Sequence, residues 1–299
     1  MKIRRDRNGL HLFDRRTGLN VLFDEVSVPE AQHDLAPRFV SIALTNACDL
    51  HCSFCYAPKF AARLDADLVL SWAKELDELG CLGVGFGGGE PTLHPDFVHM
   101  CRRIEAETQL AVSFTTHAHQ LTDHMARELA GAVHFVRVSM DGVGSTYERI
   151  RGRSFATLLK KLALVRRISR FGVNLVVNSA TIGDLDAAAE AAFESGASEL
   201  LLLPERRTAN SDGITDSDLR SLKRWILENP QFRLAVADGA AQNDISLAHP
   251  FDDSEGFDEY AHVDAAATLR ATSFSPVGTP IGASIGAALT RLRTERIAR

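Results

Sequence analysis

The 299-residue sequence predicts an α/β chain folded as a partial, TIM-like (β/α)6 barrel with an N-terminal β-hairpin extension and a small α+β C-terminal cap. Three observations carry that expectation. Short apolar, β-branched runs alternate with stretches of helical period between residues 38 and 205. Each helical stretch has about the length that a right-handed crossover between parallel strands requires. Before and after this segment the rhythm changes.

Residues 1–37 read as an extension: His11-Leu12-Phe13 and Asn20-Val21-Leu22-Phe23 flank the polar turn Arg15-Arg16-Thr17-Gly18, a hairpin pattern. The first barrel strand follows at 39–44, apolar and β-branched. A helix over 65–80 is apolar at Leu68, Trp72, Leu76 and Leu79, with Asp65 as its N-cap and Gly80 as its C-cap. Strands then fall at 82–86, 110–115, 134–140, 173–179 and 199–203, separated by helical patterns near 95–107, 122–130, 154–170 and 184–195. Six such units imply a parallel barrel or part of one. Past Pro204 come an acidic, turn-rich stretch, a helix over 218–228, a strand at 233–237 and a loop rich in Asp, Ser and Gly. A short sheet within 262–274 and a terminal helix complete the expectation, which divides the chain at 1–37, 38–205 and 206–299.

A hydrophobic share of 45% supports a sizeable packed core. The net charge of −6 argues against a nucleic-acid binder, which would carry a basic face. The basic start, residues 1–6, leads into no apolar run, and no segment reaches the length that spans a bilayer, so the expectation is a cytoplasmic protein with no membrane partner.

The five cysteines all precede residue 102, and their odd number suits metal or catalytic use better than a disulfide framework. Cys81 and Cys101 stand alone and read as buried packing residues. Cys48-Asp-Leu-His-Cys52-Ser-Phe-Cys55 is a CxxxCxxC spacing directly after the first barrel strand, where such a barrel opens its catalytic face. Three thiolates on one loop can ligate three irons of a cubane and leave the fourth free for a small molecule. A zinc site would want four ligands in a closed shell, usually as two pairs, and this chain has no second pair. His51 or Cys81 would have to complete it; His51 otherwise reads as a solvent-facing loop residue.

Gly87-Gly88-Gly89-Glu90-Pro91 follows the second barrel strand, where glycines allow close backbone approach and Glu90 offers a carboxylate to an ammonium group. With Phe54 before the third cysteine and this GGEP run one βα unit later, residues 38–205 resemble the radical S-adenosylmethionine superfamily.

The resemblance implies an enzyme with one [4Fe-4S] cluster on Cys48, Cys52 and Cys55, whose open iron is chelated by the amino and carboxylate groups of S-adenosylmethionine. It implies Phe54 beside the adenine, and Gly88, Gly89, Glu90 and Pro91 at the methionine amino group. Ser139, in Ser139-Met140-Asp141-Gly142, resembles a ribose contact; Asp141 reads either as a second one or as a cap of the turn with Gly142. Asn178 reads as a polar contact to the cofactor or as a turn residue, and Leu202 and Leu203 as apolar backbone against adenine. Thr115, Thr116 and His117 border the same face. Arg149, Arg151 and Arg153, expected in a loop before a helix, offer grips for a carboxylate, Arg151 ahead of Arg153.

The C-terminal stretch around His262–Phe274 and Gly278 loosely resembles the SPASM or twitch domain of peptide-modifying relatives, with its cysteines absent; a hairpin and helix is the plainer reading. The implied chemistry is reductive cleavage of S-adenosylmethionine to a 5′-deoxyadenosyl radical that takes a hydrogen atom from substrate, driven by an external flavodoxin- or ferredoxin-like donor. The expected substrate is a ribosomally made peptide awaiting maturation; the alternatives are a small metabolite, or a non-catalytic iron–sulfur or zinc protein, which leaves GGEP without a purpose.

Overall fold

The computed structural model describes residues 1–208, 211–237 and 258–297; the expected loop rich in Asp, Ser and Gly lies outside them. The first three strands, β1 (Lys2–Asp6), β2 (Gly9–Phe13) and β3 (Asn20–Phe23), form an antiparallel sheet in that order. β1 is an addition to the expected hairpin. Its Lys-Ile-Arg-Arg-Asp sequence reads as solvated surface, yet Arg4 is fully buried, donating to Asp6 at 2.8 Å and to the Ala36 carbonyl at 2.6 Å. Such a partner set permits a charge inside.

The βα alternation follows as β4 (Phe39–Thr45), α1 (Ala66–Glu78), β5 (Gly83–Gly88), α2 (Phe97–Glu107), β6 (Ala111–Thr116), α3 (Asp123–Leu129) and β7 (Phe135–Ser139). It continues through α4 (Gly144–Arg151), α5 (Phe155–Ile168), β8 (Phe171–Val177), α6 (Leu185–Glu194), β9 (Leu200–Pro204), α7 (Asp216–Glu228) and β10 (Leu234–Val236). Last come β11 (Tyr260–Val263), β12 (Thr268–Arg270), β13 (Thr279–Pro280) and α8 (Ile285–Ile297). Helix starts are fixed as the side chains dictate: Asp65 accepts from Leu68 N at 3.0 Å, and Thr122 from Met125 N at 3.1 Å. Helix α4 was expected as loop. It begins at a glycine and buries one side chain, Tyr147, so it carries no apolar period to read. Arg149 and Arg151 therefore sit in the last turn of a helix.

The large sheet runs β10-β9-β8-β7-β6-β5-β4-β11-β12-β13, with the strands from β10 to β11 parallel and the last two antiparallel. The α/β class and the barrel-type parallel order agree with the expectation. Along each strand one set of side chains packs on the helices: Val40, Ile42 and Leu44; Val84 and Phe86; Val112 and Phe114; Val136 and Val138; Leu200 and Leu202, all within the main core. The opposite set mixes small or polar residues (Ser41; Gly83, Gly85 and Gly87; Ser113 and Thr115; Arg137 and Ser139; Asn174) with the larger Phe39, Phe135 and Leu203. The Phe39 ring covers Gly85, whereas a Cβ on Gly87 would meet nothing within 4 Å. Room on this inner face is therefore found at Gly87.

The C-terminal segment is built into the sheet. β11 extends it beside β4, pairing His262 with Ser41 and Val263 with Ile42. Helix α8 is held by Glu75 of α1, whose carboxylate accepts from Ile285 N at 2.8 Å and Gly286 N at 3.1 Å. Among the described residues no helix is long and apolar enough to cross a membrane.

Candidate active site

The C-terminal end of β4 leads into a loop, 46–62, that is closed at its base. Asn46 N and Thr45 Oγ1 both donate to the Ala62 carbonyl, at 3.0 and 3.1 Å, and Asn46 Nδ2 donates to Phe60 O at 3.1 Å. Within it stand Cys48, Cys52 and Cys55, all free and half-buried. Burial pushes the thiols of Cys48 and Cys52 up; Cys52 opposes ionisation of Cys48, and Cys55 that of Cys52. A cation held among neighbouring thiols favours their thiolate forms, offsetting the burial that raises Cys48 and Cys52.

The glycine run after β5 docks on this loop. Gly89 N donates to Thr45 O at 2.7 Å and Glu90 N to Ala47 O at 2.8 Å. A Cβ on Gly88, whose φ is +115°, would lie 2.3 Å from Thr45 O, and one on Gly89 would lie 2.1 Å from Ala47 O. Both glycines thus permit contact between two backbones. Gly87 differs: a Cβ there would meet nothing within 4 Å, so its face toward the barrel interior is open.

Glu90 is almost fully buried and is the N-cap of the 3₁₀ turn Pro91–Leu93. Its Oε1 accepts from Thr92 Oγ1 at 2.6 Å and Thr116 Oγ1 at 2.7 Å, and its Oε2 from His117 N at 3.0 Å. The carboxylate therefore ties the end of β5 to the end of β6.

A second acidic residue ties the cysteine loop down. Asp49 accepts from His117 Nε2 at 2.9 Å, Gln120 Nε2 at 2.8 Å and Arg153 Nη2 at 3.1 Å. Burial alone would raise its carboxyl, but the Gln120 and Arg153 hydrogen bonds, with His117 beside it, hold it at about 2. Behind it, His119 Nε2 meets the hydroxyl of buried Tyr147 at 2.8 Å, and burial keeps His119 neutral with a value of about 4. Asp49 was not singled out in the sequence as a site residue; lying inside CxxxCxxC is the one local signal it carries, and its partners come from distant segments.

Across the loop, Asp141 forms a buried ion pair with Arg151 and accepts from Val176 N at 2.7 Å. Burial works against the charge on Arg151, but Asp141 and Cys52 favour it more strongly and raise its value. The guanidinium lies 5.8 Å from the Phe54 ring centroid, and its buried Nε has no partner among the described residues. Thr115 and Ser139 are half-buried near the ends of β6 and β7, on the barrel-interior side with Leu203 of β9.

Cys48, Cys52, Phe54, Cys55, Gly88, Gly89, Glu90, Pro91, Asp141 and Arg151 thus gather at one end of the sheet. Two others lie apart. Asn178 is committed to the turn after β8, its Oδ1 accepting from Ala180 N at 2.9 Å and its Nδ2 donating to Glu205 at 2.8 Å, while Leu202 is fully buried on the helix side. Arg149 and Arg153 are exposed. Cys81 cannot complete a site with the loop: it is fully buried before β5, with its Sγ 3.2 Å from Gly83 O, and burial raises it to about 11. His51 is exposed. Cys48, Asp49 and His117 bring donor atoms within 4.8 Å of one another, but both Asp49 oxygens already accept hydrogen bonds.

A family model described as the radical SAM superfamily matches residues 42–192. The AdoMet-dependent heme synthase of Methanosarcina barkeri is 27% identical over 205 residues, covering 64% of this chain and 58% of that protein. The PqqA peptide cyclase of Streptomyces rochei is 33% identical over 152 residues, covering 48% of this chain and 40% of that protein. The chain thus spans about half the length of these curated relatives. In fold, it resembles Streptococcus suis SuiB bound to S-adenosylmethionine, with a TM-score of 0.73 at 12% identity over 93% of this chain and 84% of that one. The same protein bound to its precursor peptide SuiA gives 0.73 at 14% identity, over 91% and 82%.

Proposed function

The chain belongs to the radical SAM superfamily, and from that premise we propose that it is an S-adenosylmethionine-cleaving enzyme that modifies a peptide. The family uses a [4Fe-4S] cluster and S-adenosylmethionine. The residues fit that pair: three free thiols on one loop, a buried guanidinium N–H with no partner among the described residues, and an open face at Gly87. Cys48, Cys52 and Cys55 would hold the cluster. When bound, the cluster and S-adenosylmethionine would supply one-electron reductive cleavage of the sulfonium and hydrogen-atom abstraction from substrate.

The polypeptide positions and shields. Asp49, clamped from three sides, fixes the cysteine loop against the ends of β6 and α4. Arg151, held by Asp141 beside Phe54 and Cys52, presents its free Nε–H to a carboxylate, the methionine carboxylate of the cofactor in this reading. Gly88 and Gly89 bring two backbones together so that Glu90 and its carbonyl neighbours border the site of the cofactor's ammonium group. Thr115, Ser139 and Leu203, all half-buried, line the inner face where ribose and adenine would lie. Asn178 and Leu202 would act through the turn and core that they build.

The single observation carrying the proposal is the free thiol trio docked on the glycine run at the C-terminal end of parallel strands. A peptide substrate is supported by the PqqA peptide cyclase and by SuiB bound to a precursor peptide, both larger than this chain. The same reading assigns the cofactors to residues 38–205, substrate contacts to 206–299, and reduction to an external flavodoxin- or ferredoxin-like donor; residues 1–37 pack where β5 and β6 begin, the end opposite the thiol loop. The likeness to a heme synthase supports a small-metabolite substrate as the second reading. Anaerobic reconstitution followed by reduction should yield 5′-deoxyadenosine from S-adenosylmethionine, and a peptide product should show a mass change. Absence of 5′-deoxyadenosine from a fully loaded sample would reject the proposal.

A further inference from the structure

Beside the thiol loop, a cleft of about 200 Å³ separates it from the hairpin of β11 and β12; Asn46, Tyr56, Gly88, His262, Asp264 and Arg270 line it. It shares Gly88 with the cofactor site, and the ring of Tyr56 at its wall packs against Phe274 with centroids 4.6 Å apart. Three of its polar residues, His262, Asp264 and Arg270, come from a segment outside the cofactor site.

Arg270 is held rigidly with part of its fork unused. Its Nε donates to Asp264 at 2.9 Å, and its Nη1 to the carbonyls of Ser275 and Pro276 at 2.9 and 3.0 Å. Nη2 has no partner among the described residues, and the side chain is only 24% exposed. The acceptors of Asp264 are already engaged: Oδ1 takes Ala266 N and Thr268 N, both at 3.0 Å, and Oδ2 takes Arg270. His262 is almost fully buried, with Nδ1 2.6 Å from Ser41 Oγ and Nε2 without a partner among the described residues. The uncommitted polar capacity of the cleft thus centres on a fixed, half-desolvated guanidinium edge, and the complement of such an edge is a carboxylate.

We propose that this cleft is the substrate subsite and that Arg270 seats a carboxylate of the peptide, either an acidic side chain or the chain terminus. The inference rests on the reading of the chain as a peptide-modifying enzyme. Its geometry follows from that reading: Arg270 shares the cleft with Gly88 and with Asn46 and Tyr56, which flank the cysteine loop's thiols in the chain. Prebuilt hydrogen bonds from Asp264 and two carbonyls spare Arg270 the ordering cost that a free arginine would meet on binding.

The test needs no turnover. Ligand-observed NMR on the full chain, loaded with its cluster and S-adenosylmethionine, would compare N-acetyl-glutamate-N-methylamide, its glutamine analogue and N-acetyl-alanine with a free carboxyl. The charged probes are expected to bind roughly tenfold more tightly than the glutamine analogue, the effect of one charge-assisted hydrogen bond. Whichever of the two wins identifies side chain or terminus as the source. Arg270→Gln should abolish the preference and Arg270→Lys retain part of it. Equal binding of charged and neutral probes to the unsubstituted protein would overturn the inference, as would a preference that survives Arg270→Gln. Substrate-free 5′-deoxyadenosine formation by the unsubstituted protein, measured separately, distinguishes this failure from failure of the enzyme reading.

Discussion

Five thiols in one chain occupy two opposite settings. Cys48, Cys52 and Cys55 follow the C-terminal end of β4 on a half-buried loop, whereas Cys81 and Cys101 are fully buried, before β5 and within α2. Burial pushes Cys81 to about 11 and Cys101 further, and neither has an ionisable partner that would favour a thiolate strongly enough to offset it. Two of the loop thiols have cations beside them, Arg151 acting on Cys52 and Lys59 Nζ lying 3.4 Å from Cys55 Sγ, although burial still leaves Cys52 raised. The lesson is that the chemistry of cysteine here is decided by what faces the sulfur, and that one end of the sheet is arranged for metal while the other is arranged for packing.

The contrast breaks most sharply by substitution. Alanine at Cys48, Cys52 or Cys55 is expected to remove bound iron and reduce S-adenosylmethionine cleavage to background, checked by iron analysis and 5′-deoxyadenosine chromatography. Next in size is Asp141→Asn, which leaves the Arg151 charge buried without its counter-ion; a loss of about 3–5 kcal/mol in denaturant unfolding is expected. Replacing both partners by apolar residues should recover much of that stability while S-adenosylmethionine affinity stays low, which separates the two roles of the pair.

A third test uses pH. Burial holds His262 at about 4, below the usual histidine value of 6.5, so it is neutral in the folded chain. Between those values the unfolded chain binds more protons, so its stabilising effect is complete above pH 6.5 and is lost as pH falls toward 4. The unsubstituted protein should therefore lose on the order of 1–3 kcal/mol more than His262→Gln across that window, read from urea midpoints. The smallest effect belongs to the packing thiols: Cys101→Ala should cost about 1 kcal/mol and leave iron content unchanged, measured by thermal melting and metal analysis.

Much of this division was legible in the sequence because the thiol trio and GGEP are local patterns on adjacent βα units. The apolar, β-branched run at 39–44 likewise announced a strand, while the division of its side chains between a helix-packed and an inner face emerged only from the fold. What stayed hidden depends on distant partners. β1 is a strand because Arg4 finds Asp6 and the Ala36 carbonyl, and no periodicity in five charged or apolar residues encodes that. The Asp49 clamp joins residues 68, 71 and 104 positions away, and His262 reaches the barrel because β11 pairs with β4 across more than two hundred residues. Gly88 and Gly89 were legible as a close approach, but the loop backbone that they approach was not.

The most direct test of the account is electron–nuclear double resonance on the anaerobically reconstituted, reduced chain with S-adenosylmethionine labelled with 15N at its amino group and 17O at its carboxylate. Hyperfine coupling of both labels to the cluster is the expected result, because three protein thiolates leave one iron for the cofactor to chelate. A fully loaded cluster showing no coupling to either label, or a tightly bound zinc in its place, would contradict it.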